Sequence, residues 1–216
     1  MKLKPKYIIG IDEVGRGPLA GPITVAALAL PRNFQLSISN LPKLKDSKKL
    51  SGKQREEWFR FIKESRKLKV AGSQIFYTTA SICPRVIDRI NITQAANLAA
   101  TRALKKLIMK HRLPKKRMKI FLDGGLKIKE PLSTFYNLLT IIKGDEKIPA
   151  IALASIVAKV TRDKKMKLLH KKYPRYKFNE HKGYGTKKHF KALKKYGLSK
   201  IHRIAFIPKN ICRKKH

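Results

Sequence analysis

Hydrophobic positions fall into blocks whose spacing changes along the chain. Tyr7–Ile11 and Ile23–Leu30 are apolar runs, and the segment between them, VGRGPLAGP, is crowded with glycine and proline. Short apolar runs bounded by turn residues predict two neighbouring strands joined by a structured turn. Pro42–Leu50 (PKLKDSKKL) reads as a polar loop. From Ser51 the period becomes helical: Trp58, Phe59 and Ile62 form an apolar stripe, and Ser51 with Gln54 fits a capping box. Val70–Tyr77 predicts a third strand. Asn91 and Gln94 repeat the capping box ahead of a long helix, NITQAANLAATRALKKLIMKH, with Leu98, Leu104 and Leu107 among its apolar positions. Lys119–Leu122 predicts a short strand ending in Asp123-Gly124-Gly125, and Leu138–Ile142 another, ending in Lys143-Gly144-Asp145. A helix is expected from about residue 151 to 170, its late lysines suiting the C-terminal dipole. After Tyr173-Pro174 the chain turns aromatic and basic, and a short helix over 187–196 stops at Gly197.

Three strands in hairpin-like succession, then strand and helix alternating, then a basic helical tail, predict a mixed α/β sheet covered by helices. At 216 residues and 43% hydrophobic, the chain is long enough for one domain with a real core. We divide it into a main body, 1–170, and a basic helical extension, 171–216, packed on it.

Charge narrows the class of partner. With 52 Lys and Arg against 13 Asp and Glu the net charge is +39. Such a chain repels itself and seeks a polyanion, above all nucleic acid, whose condensed counterions are released on binding. A lysine-rich genome accounts for part of the excess but not for the scarcity of acids. No run approaches 18 apolar residues, so no membrane span is expected. The N-terminal apolar run breaks at Asp12 and Glu13, so it is no signal-peptide core. Cys83 and Cys212 lack partners at zinc spacing and read as reduced thiols of a cytoplasmic protein.

Against that basic background four acids stand out. Asp12 and Glu13 end the first strand, Asp123 the fourth, and Asp145 follows the fifth. Sites in open α/β sheets form outside strand ends. Grouped carboxylates repel and raise each other's pKa, so a site holding them needs positive charge. Mg²⁺ or Mn²⁺ supplies it through oxygen ligands, and a pair of such ions about 4 Å apart suits phosphoryl transfer. A single strand-end aspartate more often caps a helix or pairs with a lysine; four in an acid-poor chain make a different pattern. One difficulty arises. Successive strand residues point to opposite faces, so Asp12 and Glu13 cannot both reach one site from a regular strand. Either the strand leaves register at Glu13, or Glu13 contributes its backbone carbonyl.

Asp12-Glu13-Val14-Gly15-Arg16-Gly17, followed by Pro18-Leu19-Ala20-Gly21-Pro22, resembles the signature of ribonuclease HII. So do Asp46-Ser47-Lys48-Lys49-Leu50, Asp123-Gly124, Lys143-Gly144-Asp145, the block Ala154 to Asp163, and His181-Lys182-Gly183-Tyr184-Gly185-Thr186. Six blocks in order span nearly the whole chain. The resemblance implies a ribonuclease H-like fold, a mixed five-stranded sheet with a C-terminal helical extension. It implies cleavage of RNA in RNA–DNA hybrids and at single ribonucleotides in duplex DNA. It puts a two-ion Mg²⁺ or Mn²⁺ site on Asp12, Glu13, Asp123 and Asp145. It further implies that Gly15, Arg16 and Gly17 meet the ribose 2′-hydroxyl through their backbone, that Tyr184 packs on the sugar, and that Lys48 lies near phosphate. Leu153, Pro149 and the second glycine after Asp123 depart from the expected pattern without touching a ligand position. His181, His189 and His202 fit no common zinc spacing and read as phosphate-facing or structural. A monomer is the default. The rivals are a non-catalytic basic protein, which leaves the carboxylates unexplained, and a junction resolvase, which has no need of the Gly-Arg-Gly element.

Overall fold

The computed structural model of the protein describes residues 6–34, 41–44, 47–65, 74–114 and 117–212. Strands β1 (Tyr7–Val14), β2 (Ile23–Pro31), β3 (Phe76–Ile82), β4 (Met118–Asp123) and β5 (Leu138–Ile141) form one sheet in the order β3-β2-β1-β4-β5. β1, β2 and β3 pair antiparallel, while β4 runs parallel to β1 and β5 parallel to β4. The sheet is therefore mixed, as the order of the elements predicts. The helices are α1 (Gly52–Ser65), α2 (Pro84–Ile90), α3 (Ile92–His111), α4 (Leu132–Phe135), α5 (Gly144–Lys147), α6 (Pro149–Lys172), α7 (Phe178–His181), α8 (Lys187–Tyr196) and α9 (Lys209–Cys212).

β2 reads ITVAALALP and is buried at every position, because both faces of the sheet are covered. On one face Ile9, Ile11, Val25 and Ala27 pack against the alanine-rich side of α3 and its Leu104 and Leu107. On the other, Ala26, Leu28 and Leu30 meet Trp58 and Ile62 of α1 and Ala150, Leu153 and Ala154 of α6. Leu153, unusual by pattern, is a fully buried member of that layer. Alternation along β1 sends Ile9 and Ile11 toward α3, so Gly10 and Asp12 face α6. A methyl group at Gly10 would stand 2.1 Å from the backbone carbon of Ala150. Strand and helix therefore touch backbone to backbone.

A third cluster joins the C-terminal extension to the body: Leu19 and Ala20 pack with Met166, Tyr176, Phe178, Leu193 and Ile207. The Ser51 capping box forms in both directions, Gln54 N–H to Ser51 Oγ at 3.2 Å and Ser51 N–H to Gln54 Oε1 at 2.9 Å. At Asn91 only one half forms, with Gln94 N–H donating to Asn91 Oδ1 at 3.0 Å.

Some boundaries differ from expectation. The third strand is Phe76–Ile82, sharing only Phe76 and Tyr77 with the predicted Val70–Tyr77; 70–73 lie outside the described residues. FYTTASI is half buried and rich in hydroxyl residues, so no apolar run marks it. α6 starts at Pro149, which occupies the first turn where its missing N–H costs nothing. β1 continues through Val14, so Asp12 and Glu13 lie inside the strand rather than beyond it.

Candidate active site

The parallel pairing of β1 and β4 ends with Ile11 beside Leu122. One step further along each strand stand Asp12 and Asp123. Glu13 joins them: one carboxylate oxygen from each of Asp12, Glu13 and Asp123 lies within 4.8 Å of the other two. The register of β1 on β2 continues unbroken through Glu13 and Val14. So the strand does not slip at Glu13, and it is the side chain that reaches the cluster. The Arg16 guanidinium holds it, with Nε donating to Glu13 Oε1 at 2.5 Å. Glu13 N–H donates to Asp12 Oδ1 at 2.7 Å, and Gly144 N–H to Asp123 Oδ1 at 2.8 Å.

These contacts leave the cluster short of positive charge. Asp12 is 5% exposed. Burial, then the neighbouring Glu13 and Asp123, hold its pKa well above the usual carboxylate value. Burial also raises Glu13, though Arg16 offsets part of it. Glu13 Oε2 is buried without a hydrogen-bond partner. A buried orphan oxygen beside two further carboxylates matches the donor set of a hard divalent cation. The residues fit Mg²⁺ or Mn²⁺.

Asp145 lies outside the trio. It sits in the first turn of α5, directly after Gly144, whose amide is bonded to Asp123. Lys48 is exposed in the turn 47–50; Asp46 lies outside the described residues. Next to Lys48, Ser47 Oγ is 2.7 Å from Ser155 Oγ on α6, and the Ser155 hydroxyl faces the Asp12 carboxylate, offsetting part of the rise that burial causes. A buried hydroxyl pair thus orients a cluster carboxylate. Groups that orient metal ligands are worth roughly 10- to 100-fold in metal affinity. Ser155→Ala is expected to weaken Mn²⁺ binding by about tenfold, read by calorimetry.

One loop leaves β1 directly after the cluster, and a second packs against it. Gly15 has φ +94°, and a methyl there would stand 2.3 Å from Arg162 Nε. Arg162 and Arg203 are both fully buried. Arg162 donates to the carbonyls of Pro22, Lys182 and Ala20. Arg203 donates to those of Gly15, Arg16 and Gly21. Gly17 is exposed at the tip. Tyr184, on the second loop, is 41% exposed with the Arg162 guanidinium 6.0 Å from its ring. The loops are tied together where Leu19 N–H donates to Gly183 O at 2.8 Å. The histidines do not face outward: His181, His189 and His202 are buried and stack among themselves and with Phe178.

Ser47, Ser155, Arg162 and Arg203 were assigned no role from sequence. Ser155 had a signal, being the lone hydroxyl in IALASIVA. Arg162 had only its place in the block Ala154 to Asp163, and Arg203 had none, since in a chain this basic a cation draws no attention.

Comparison with known proteins gives the chain a family. The family model for ribonuclease HII matches residues 9–209. Ribonuclease HII of Endomicrobium trichonymphae is 46% identical over 203 residues, spanning 94% of this chain and 86% of that protein. That of Caldicellulosiruptor bescii is 44% identical, spanning 95% and 88%. The solved PCNA:RNase HII complex of Archaeoglobus fulgidus superposes with a TM-score of 0.66 at 27% identity, covering 97% of this chain and 98% of that one.

Proposed function

The chain belongs to the ribonuclease HII family, an endoribonuclease family acting on RNA–DNA hybrids, and from that premise we propose that it also cuts at single ribonucleotides embedded in duplex DNA. The bond hydrolysed lies on the 5′ side of the ribonucleotide. Water oxygen bonds to phosphorus, the bond from phosphorus to the upstream O3′ breaks, and the ends are a 3′-hydroxyl and a 5′-phosphate.

One observation carries the reading: three carboxylates converge at a strand end, and the loop carrying Gly15, Arg16 and Gly17 leaves directly from that strand. Asp12, Glu13 and Asp123 hold Mg²⁺ or Mn²⁺, with Asp145 completing the set from α5. When bound, the metal supplies an activated water and stabilises the leaving oxygen. The chain does the rest. Arg16 and the Ser47–Ser155 pair orient Glu13 and Asp12. The backbone of Gly15, Arg16 and Gly17 meets the 2′-hydroxyl, the one group that separates RNA from DNA. Tyr184 gives the sugar an apolar face, and Lys48 meets phosphate. The net charge of +39 supplies affinity without base sequence. Among the described residues no helix is long and apolar enough to cross a membrane. The reading extends to a cytoplasmic monomer in which 171–216 pack on 1–170 and grip the duplex backbone.

The test uses a labelled DNA duplex with one ribonucleotide, an all-DNA duplex and a branched DNA. A single cut in the first with Mg²⁺ or Mn²⁺, and none with EDTA, is the expected result. Binding without cutting would refute an enzyme of this kind. Equal cutting of branched DNA would refute ribose recognition.

A further inference from the structure

We propose that His202 and Arg203 are positioning residues that set both halves of the ribose-facing surface. The proposal rests on the reading of the Gly15–Gly17 loop and Tyr184 as the ribose contact. The two residues are adjacent in sequence, bond directly to none of the cluster carboxylates, and point into different networks.

Arg203 controls the first half. Its Nη2 donates to Gly15 O at 2.7 Å, its Nη1 to Arg16 O at 2.8 Å and its Nε to Gly21 O at 3.0 Å. Its amide donates to Leu19 O at 2.8 Å. The loop's carbonyls are thereby drawn inward onto one buried cation. In a planar trans peptide the C=O and the N–H point opposite ways. Pulling the carbonyls of Gly15 and Arg16 toward Arg203 therefore turns the N–H groups of Arg16 and Gly17 away from it. Those two donors are then presented side by side, which suits a hydroxyl that must be read by backbone.

His202 controls the second half through a relay. Ser199 N–H donates to His202 Nδ1 at 2.8 Å, so the His202 proton is on Nε2. That Nε2 lies 3.1 Å from His189 Nε2, which accepts. His189 then carries its proton on Nδ1 and donates it to Tyr184 O at 2.9 Å. Every role in this chain follows from the backbone donor at its start. Burial pushes both rings down to about 4, which keeps them neutral as the relay requires. The relay fixes the Tyr184 peptide while leaving the ring exposed. His202 also pairs with Ala20 in an isolated bridge, closing the two halves against each other.

Four variants and one spectrum test this. Arg203→Lys and His202→Ala should each lower kcat/KM on the single-ribonucleotide duplex roughly 10²-fold, the cost of misplacing a substrate-orienting group by about an ångström. Mn²⁺ affinity, read by calorimetry, should be unchanged in His202→Ala, whose relay ends at Tyr184 and reaches no cluster carboxylate. His202→Gln keeps a donor near Nε2 and should recover most of the loss, whereas His202→Leu should not. In the wild-type protein, ¹⁵N spectra should show His202 protonated at Nε2 and His189 at Nδ1. Opposite tautomers would overturn the relay even if every variant failed to fold. Wild-type kcat/KM in folded Arg203→Lys and His202→Ala would overturn the proposal as a whole. Failure of the wild type itself to cut at a ribonucleotide would refute the parent reading instead.

Discussion

Asp12→Asn is expected to abolish metal-dependent cleavage and, in EDTA, to leave a protein more resistant to heat than the wild type. The activity loss should be at least roughly 10³-fold, since several kcal/mol of charge stabilisation depend on the cluster and each 1.4 kcal/mol is about tenfold in rate. The gain in stability has a separate cause. Asp12 is buried beside Glu13 and Asp123, and without a cation its charge is unfavourable. Asparagine keeps the shape and removes the charge, the usual sign of a site whose function opposes its stability. The pH dependence follows from linkage. Below the ordinary carboxylate value of 3.8, folded and unfolded chains both carry the proton. Above it the unfolded chain releases a proton that the folded chain retains, so wild-type stability falls with rising pH until the raised Asp12 pKa is passed. The advantage of Asp12→Asn should grow across that window and then level off. Saturating Mg²⁺ should narrow the gap by binding the folded wild type preferentially. Melting curves with EDTA and with Mg²⁺, at several pH values, check this; a variant less stable than wild type in EDTA would contradict it.

Gly10→Ala is expected to cost about 3 kcal/mol, at the upper end for inserting a methyl into a packed core. The new carbon would lie 2.1 Å from Ala150 C, 2.2 Å from Ala150 O and 2.3 Å from Ile151 N. All three are backbone atoms, so no side chain can rotate away. Carbon pairs settle near 3.5–4.0 Å, so α6 must retreat from β1 by more than an ångström. For a chain of this size the loss corresponds to about 10 °C in Tm. Activity should fall further than stability alone explains, because the same helix carries Ser155 to Asp12. Gly52→Ala is the control: nothing lies within 4 Å of a methyl there, and its Tm should hold.

The strands of the body were legible where packing demands unbroken apolar runs. Tyr7–Ile11 and Ile23–Leu30 lie in strands covered on both faces, and no other composition would survive there. The two capping boxes marked the starts of α1 and α3, because the unsatisfied first-turn amides select particular side chains. β3 was misplaced for the opposite reason. Its burial alternates irregularly and its middle residues, Thr78 to Ser81, are Thr, Thr, Ala and Ser, so nothing periodic separates it from a loop. The short α2, α4 and α5 went unseen, being too brief to carry a helical stripe. Asp12, Glu13 and Asp123 were recognisable as acids at the ends of strands in a chain with few acids. The place of Asp145 relative to them was not, because a single helical turn intervenes between β5 and α6.

What the chain determined alone was the order and type of its main elements, a charge that requires a polyanion, and six motif blocks in sequence specific enough to identify a family. These are properties of neighbouring residues, governed by local periodicity, capping and composition. The tertiary structure decided which residues meet. Parallel pairing of β1 with β4 brings Asp12 beside Asp123. Backbone contact at Gly10 brings Ser155 to Asp12. Arg16 and Arg203, 187 residues apart, become hydrogen-bonded partners. Periodicity says only which face a side chain takes, and it says the same thing for every possible partner. The partner is selected by strand pairing, helix packing and the need of each buried charge for a counterpart, and those exist only once the chain has closed on itself.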